Sequence, residues 1–226
     1  MKHLKLFESF EDIDSICRKY GIENYSINPD GSIDIDGDVD LSNRKLTKIP
    51  VKFRNVGGHF YCGGNKLTSL EGCPTHVGGS FNCFNNQLTS LEGSPTHVGG
   101  YFYCDSNQLT SLEGCPDHVG GGFFCYNNKL TSLEGCPTHV GGNFYCSGNK
   151  LTSLEGSPSH VGGDFICDDN PVHNVWKLFH DYSKMELFND YDIIRDESVI
   201  ILDRLNDFLE QIRKPTVTEV KGYKCI

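Results

Sequence analysis

Apolar and polar positions alternate along the middle of the chain in a pattern that repeats every 21 residues. The unit at residues 78–98 reads GGSFNCFNNQLTSLEGSPTHV, and five such units fill residues 57–161. A sixth unit begins at Gly162 and stops matching after Asn170. Self-similarity at a fixed period of this length is typical of repeat proteins, whose units bury a common core only by stacking on one another.

A more divergent unit precedes these, at Asp36–Val56. It keeps Val39, Leu41, Leu46 and Ile49 in phase with the apolar positions of the later units. Because successive side chains of a strand point to opposite faces, the alternation predicts one short strand in each unit. The seven predicted strands, stacked in register, begin at Val39, Phe60, Phe81, Phe102, Phe123, Phe144 and Phe165.

Stacking turns each repeated residue type into a column. Phe and the Cys two residues later are expected inside, followed by two columns of Leu. The Asn column is expected where the chain leaves the strand, because a side-chain amide can donate and accept at once and so join neighbouring turns. Pairs such as Gly78-Gly79 suit tight corners, some with positive φ. The Asn column comprises Asn65, Asn86, Asn107, Asn128, Asn149 and Asn170.

The repeat resembles that of the leucine-rich repeat family. The family template L-x-L-x-x-N-x-L appears as F-x-C-x-x-N-x-L, for example at Phe81, Cys83, Asn86 and Leu88. Three segments resemble uncharacterised leucine-rich repeat proteins of tailed bacteriophages. They are the repeat motif VGGxFxCxxNxLTSLEGCP, the segment NPDGSIDIDGDVDLSNRKLTKIP and the final residues KGYKCI. The resemblance implies an α+β leucine-rich-repeat solenoid of period 21, with parallel strands on its concave face.

Both open ends of such a solenoid need covering, and the flanking segments predict helical caps. We expect an N-terminal cap at 1–35, about six and a half repeats at 36–170, and a C-terminal cap at 171–226. The first cap is predicted as a helix followed by a hairpin that turns at Pro29-Asp30-Gly31. The helix spans Ser9–Tyr20, with one apolar face formed by Phe10, Ile13, Cys17 and Tyr20, and the second hairpin strand runs through Ile33, Ile35, Val39 and Leu41.

Three helices are predicted in the C-terminal segment. The first starts at Asn170-Pro171, with Trp176 more consistent with the core of the cap than with a ligand site. A capping box of Ser183 and Glu186 is expected to begin the second. The third is expected at Asp196–Arg213, ending before Pro215. The inward residues of the first and third helices are Val172, Val175, Trp176 and Phe179, then Val199, Leu202, Leu205, Leu209 and Ile212.

Charge and composition narrow the function classes. The formal net charge of −10 argues against partners that carry many phosphates, such as nucleic acid or an anionic membrane. The N-terminal residues lack the apolar core of a secretory signal, and no apolar run reaches the roughly 20 residues of a membrane span. The eleven cysteines are therefore expected to be reduced, in the cytoplasm.

Two columns and one run of aspartates could carry chemistry. Inward cysteines 21 residues apart behave as small hydrophobic groups and lack zinc-site spacing, so we expect packing there. A histidine column (His76, His97, His118, His139 and His160) is expected in the turn before each strand, either as repeated turn residues or as a metal-binding or proton-sensing comb. The aspartates at 34, 36, 38 and 40 lack the EF-hand order and favour a solvated strand face. We expect no metal and no cofactor.

Variation between the repeats concentrates at outward strand positions, which the resemblance places on the concave face. Outward aromatic residues suit protein recognition, although cross-strand stacking that stabilises the sheet is the alternative. The predicted partner-binding residues are Tyr61, Phe84, Tyr101, Tyr103, Phe124, Tyr126 and Tyr145.

No catalytic motif stands out, so the sequence predicts a non-enzymatic protein-protein interaction module that binds a host or phage protein. A monomer is favoured, although the sequence leaves the oligomeric state open. A virion-associated structural or receptor-binding component is the alternative, and an enzyme acting on small molecules is a third possibility that we disfavour.

Overall fold

The computed structural model describes residues 13–196 and 199–226. Its central part is a stack of coils of 21 residues, and each coil contributes two short strands. All pairings between coils are parallel. The strands form two separate sheets, and this repeated parallel architecture agrees with the predicted solenoid.

The first sheet, the Phe sheet, has seven strands and matches the seven predicted ones. Each strand pairs with its equivalent 21 residues away, as Phe102 pairs with Phe123. The members are β3 (Val39–Asp40), β5 (Phe60–Tyr61), β7 (Phe81–Asn82), β9 (Phe102–Tyr103), β11 (Phe123–Phe124), β13 (Phe144–Tyr145) and β15 (Phe165–Ile166).

The second sheet, the His sheet, was not predicted. The histidine column was expected in turns, but each of these histidines begins a two-residue strand with the following Val. The histidine side chain faces out and the valine side chain is buried, except that Val161 in the last coil is only half-buried. The sheet is made of β1 (Tyr25–Ile27), β2 (Ile33–Ile35), β4 (Phe53–Val56), β6 (His76–Val77), β8 (His97–Val98), β10 (His118–Val119), β12 (His139–Val140) and β14 (His160–Val161).

The core lies between the two sheets and consists of the predicted columns. The Phe, first Cys and both Leu columns are fully buried in the inner coils, joined by the Val column of the His sheet. Neighbouring Phe rings lie 5.2–5.8 Å apart from Phe60 to Phe165. Because no coil encloses a core alone, this burial couples each coil to its neighbours.

The Asn column joins adjacent coils as predicted, and we call it the asparagine ladder. The Oδ1 atom of Asn128 accepts the backbone N–H of Leu109 at 3.0 Å. Its Nδ2 atom donates to the carbonyl of Cys104 in the preceding coil and to that of Cys125 in its own, both at 3.1 Å. The same pattern recurs from Asn65 to Asn170. Each side chain thus satisfies backbone groups that the turn removes from the sheet.

The Gly pairs have a different role from the one predicted, since none of them has positive φ. A Cβ atom on Gly120 would lie less than 3.0 Å from the carbonyl oxygen of Gly99, and the same holds for the first Gly of each pair. Close approach of neighbouring backbones therefore requires these glycines. Positive φ occurs instead at the Gly of each LEG sequence and at the residue before each ladder Asn, where Asn, Gly, Ser or Asp stands.

The N-terminal segment agrees with the prediction in part. Residues 13–20 are helical and form α1, with Cys17 buried and Ile13 and Tyr20 packed against the core. Ser9 and Phe10 lie outside the described residues. The hairpin turns where predicted, with β1 antiparallel to β2. The predicted continuous second strand through Leu41 is wrong. The chain bends at Asp36-Gly37 and passes from the His sheet to the Phe sheet, where β3 begins.

The first predicted helix of the C-terminal segment is present, but it starts at His173 rather than at Asn170-Pro171, where the chain still forms a turn. The helix α2 (His173–Phe179) buries Val175, Trp176 and Phe179, and the Trp176 ring lies 5.4 Å from that of Phe165 in the last coil. The predicted capping box is wrong. Asp181 accepts the N–H of Ser183 at 3.1 Å and starts a 3₁₀ turn that leads into α3 (Met185–Asp190), which has no side-chain cap.

The third predicted helix starts later than expected. The helix α4 spans only Leu202–Gln211 and buries Leu205, Phe208 and Leu209. The preceding residues form β16 (Ile194–Asp196) and β17 (Val199–Ile200), so Val199 is not helical. Their partner β18 (Lys224–Cys225) comes from the end of the chain and pairs in parallel with β17. This long-range pairing outweighs the local helical pattern of apolar residues.

We predict that Asn128→Ala lowers the free energy of unfolding by about 2–5 kcal/mol, because it leaves buried backbone donors and acceptors without partners. Urea denaturation measures this difference. Asn127→Gly is the matched control: Asn127 is exposed and has a φ of 54°, which Gly adopts readily, so a change within about 0.5 kcal/mol is expected. Equal effects of both substitutions would contradict the role of the ladder.

We predict that Gly120→Ala destabilises the protein by about 1–3 kcal/mol, because the added methyl group forces adjacent coils apart. Gly37→Ala serves as the control, since a Cβ atom there meets nothing within 4 Å. Thermal melting of the two variants beside the wild type tests the prediction, and a Gly120 variant as stable as the Gly37 variant would show that the coils can separate without cost.

Candidate interaction surface on the Phe sheet

The outward face of the Phe sheet is built from three positions in each coil. Because side chains alternate, Phe102 and Cys104 point inward while Tyr101, Tyr103 and Asp105 share the opposite face. Unlike the inward columns, these three columns differ from coil to coil. A rigid stacked core thus presents a variable surface.

The seven predicted partner-binding residues all lie on this face, and we call them the aromatic strip. Tyr101 is the most exposed, with 48% of its surface accessible, and the other six are half-buried. An outward position therefore does not leave these rings fully exposed, since neighbouring rings cover much of their area. The strip comprises Tyr61, Phe84, Tyr101, Tyr103, Phe124, Tyr126 and Tyr145.

Four members of the strip form one cluster across three coils. The rings of Tyr103 and Phe124 stack with centroids 4.7 Å apart, and Phe124 meets Tyr145 edge-on at 5.0 Å. Tyr101 lies 6.0 Å from Tyr103 and 6.1 Å from Phe124. These are the separations at which aromatic pairs attract one another, so the cross-strand stacking that was weighed as an alternative is present here. One side of the cluster remains open to solvent.

The other three strip residues do not join this cluster. Tyr61 stacks on His59 with ring centroids 5.5 Å apart. The ring of Phe84 lies directly over Gly63, where a Cβ atom would collide with it. Tyr126 lies beside Asp105, and burial together with this neighbouring carboxylate raises the pKa of Tyr126 to about 12.

Asp105 is a member of this face that sequence reasoning missed. Its carboxylate is almost wholly buried, with 3% of the residue exposed. Burial raises its pKa, and the neighbouring Tyr126 hydroxyl and a hydrogen bond from Ser106 partly offset that effect. The sequence does contain an indication of this burial. Asp105 stands between Phe84 and Tyr126 in the same outward column, and large rings on both sides can cover a carboxylate.

The outward face is acidic as well as aromatic. From residue 38 to residue 168 its three columns hold five aspartates and contain neither Lys nor Arg. The aspartates stand at both ends and in the middle of the face, so its formal charge is negative with no basic residue in the three columns to balance it. They are Asp38, Asp40, Asp105, Asp164 and Asp168.

The histidine column lies on the other sheet, away from the aromatic strip. His76 and His97 stack with ring centroids 4.5 Å apart, and His139 stacks on both His118 and His160 at 4.6 and 4.3 Å. Slight burial and the two neighbouring imidazoles lower the pKa of His139. Protonation of His139 is therefore disfavoured in the folded stack.

The cysteines are all free thiols, and the strand column is fully enclosed. Burial raises the pKa of Cys104, Cys125 and Cys146, which keeps these thiols protonated. A second Cys column consists of Cys73, Cys115 and Cys136, with Ser at residues 94 and 157. Its hydrogen bonds explain why Ser replaces Cys at residue 94, whereas Ser157 donates to the carbonyl of Leu154 in its own coil. Cys115 donates to the carbonyl of Gly135 at 2.9 Å, and Ser94 donates to the equivalent carbonyl of the next coil at 2.6 Å.

Within residues 13–196 and 199–226, no three or more His, Cys, Asp or Glu side chains are arranged to hold a metal ion. No helix in that part of the chain has the length and apolar character needed to cross a bilayer. Comparisons with known proteins found no matching family model, no similar curated protein and no similar solved structure.

We predict that the melting temperature falls as the pH drops from about 8 to about 5. A His with a lowered folded-state pKa is protonated first in the unfolded chain, so its contribution to stability is present above the unfolded pKa of about 6.5 and is lost below it. Thermal melting across this range measures the loss. A variant with Asn at all five column positions is expected to lose less stability, and an equal loss would show that the histidines are not responsible.

Proposed function

We propose that this chain is a non-enzymatic protein-interaction module that binds a host or phage protein through the aromatic strip. The observation that carries the proposal is the four-ring cluster of Tyr101, Tyr103, Phe124 and Tyr145, which stays partly open to solvent on a face without Lys or Arg. Clustered Tyr and Phe on a rigid support are the residues that dominate binding energy in protein interfaces.

Rigidity strengthens this proposal. Tyr103 and Phe124 sit on strands whose register is fixed by paired backbones and by the asparagine ladder. Their rings already contact one another, so little side-chain entropy is lost when a partner covers them. Stacking that stabilises the sheet and recognition of a partner therefore use the same rings, and the first favours the second.

The finer assignments belong to the same proposal. The F-x-C-x-x-N-x-L repeat and the asparagine ladder support a leucine-rich repeat solenoid, with α1 and the β1–β2 hairpin as one cap and the helices after Asn170 as the other. The resemblance to phage proteins favours a role in the cytoplasm of an infected bacterium, without a cofactor, nucleic acid or membrane as partner. Free, buried thiols agree with a reducing compartment.

We predict that a Tyr103→Ala, Phe124→Ala, Tyr145→Ala variant loses its partner in affinity capture from host lysate. Each lost aromatic side chain costs about 1–2 kcal/mol of binding free energy, so the three together weaken binding more than a hundredfold. A partner bound that weakly is washed away during affinity capture. Quantitative mass spectrometry of the captured proteins, with wild type and variant side by side, is the measurement.

The matched control removes three exposed rings from the other sheet, as His76→Ala, His97→Ala and His160→Ala. It is expected to retain the partner, and circular dichroism checks that both variants keep their fold. Equal capture by wild type and the aromatic variant would exclude the strip as the binding face. Recovery of the protein in purified phage particles, rather than in infected-cell lysate, would favour the alternative of a virion component.

A further inference from the structure

The Phe sheet has an open edge at β15, its terminal strand. In the preceding coil the amides of Phe144 and Cys146 donate to carbonyls of the next coil at 2.8 and 2.9 Å. The equivalent amides of Phe165 and Cys167 face the side on which the described part of the chain supplies no further strand. Phe165 is half-buried, whereas its equivalents in the five inner coils are fully buried, so solvent reaches this edge.

A cavity of about 420 Å³ lies beside this edge, between β15 and α2. The rings of Trp176 and Tyr182 line it and contact Phe165 with centroids 5.4 and 5.2 Å away. Asp164 and Asp168 line the same cavity from the outward face of the strand, and both are exposed. The cavity thus continues the acidic and aromatic surface of the Phe sheet.

No cationic side chain neutralises these carboxylates from within the lining, which contains neither Lys nor Arg among the described residues. His173 approaches Asp168, with Nδ1 and Oδ1 3.2 Å apart, but its Nδ1 atom is not aligned for a hydrogen bond. Burial lowers the pKa of His173, which keeps the imidazole neutral near pH 7. The cavity therefore combines two available carboxylates with an aromatic wall.

We propose that this edge binds an extended basic segment of the partner protein, which adds a strand beside β15 and places one Arg or Lys side chain in the cavity. Backbone carbonyls of that segment accept from the amides of Phe165 and Cys167, as a further coil would. Its cationic group lies against the ring of Trp176 and pairs with Asp164 and Asp168. The inference rests on the proposed function, since it names the chemistry of the partner that the outward face binds.

The full-length chain can be tested with a defined probe. The probe is an acetylated and amidated five-residue peptide of threonine and valine with a central arginine, compared with the same peptide carrying a central glutamine. Trp176 is the sole tryptophan of the sequence, so its fluorescence reports the cavity directly. We expect a saturable change with the arginine peptide, about tenfold weaker binding of the glutamine peptide, and slower hydrogen exchange at the Phe165 and Cys167 amides.

Charge variants locate the site. Asp164→Asn with Asp168→Asn is expected to weaken binding of the arginine peptide about tenfold. Glu71→Gln with Glu92→Gln removes the same charge from exposed carboxylates of early coils and is expected to leave binding unchanged. Equal affinity for both peptides, or an equal loss in both variants, would overturn the proposal. Loss of lysate capture in the aromatic variant, with no response to the arginine peptide, would retain the proposed function and reject this edge.

Discussion

The asparagine ladder is the interaction on which the rest of the structure depends. At each coil the chain leaves the Phe sheet, and backbone groups there would be buried without partners. One Asn side chain accepts a hydrogen bond from a backbone N–H and donates to carbonyls of its own and the preceding coil. Asn128, for example, accepts from Leu109 and donates to Cys104 and Cys125. Since the same bonds recur in every repeat, all coils close with one shape, and every inward residue lies beneath its equivalent.

Uniform coils divide the chain into positions that must repeat and positions that are free to vary. A Phe, Cys, Leu or first Gly faces its own copy in the next coil, so a change at one of them affects two neighbours at once. The Ser that replaces Cys at residue 94 is tolerated because both side chains donate to the same carbonyl position. Outward positions such as Tyr101 escape this constraint and can differ.

The sequence alone predicts the Phe sheet well, because the period of 21 and the alternation around Phe81 and Cys83 extend over six coils. It missed the His sheet because the His-Val pair, which lies between a Pro and a Gly pair, is too short to show an alternation of apolar and polar residues. It misjudged the C-terminal segment because β17 pairs with β18, some 25 residues away, and no local pattern carries that information. The outward position of the aromatic rings follows from the same alternation, but the burial of Asp105 depends on how rings lean across coils.

That leaning connects variable positions to one another. The ring of Phe84 occupies the space above Gly63 in the preceding coil, and any larger residue at 63 would displace it. Tyr126 of the next coil likewise lies beside the buried Asp105, whose carboxylate accepts a hydrogen bond from Ser106. Small or polar residues thus stand where a neighbouring coil contributes a ring. The outward face therefore varies as a fitted surface across coils rather than repeat by repeat, because a ring in one coil restricts which residue the neighbouring coil can carry.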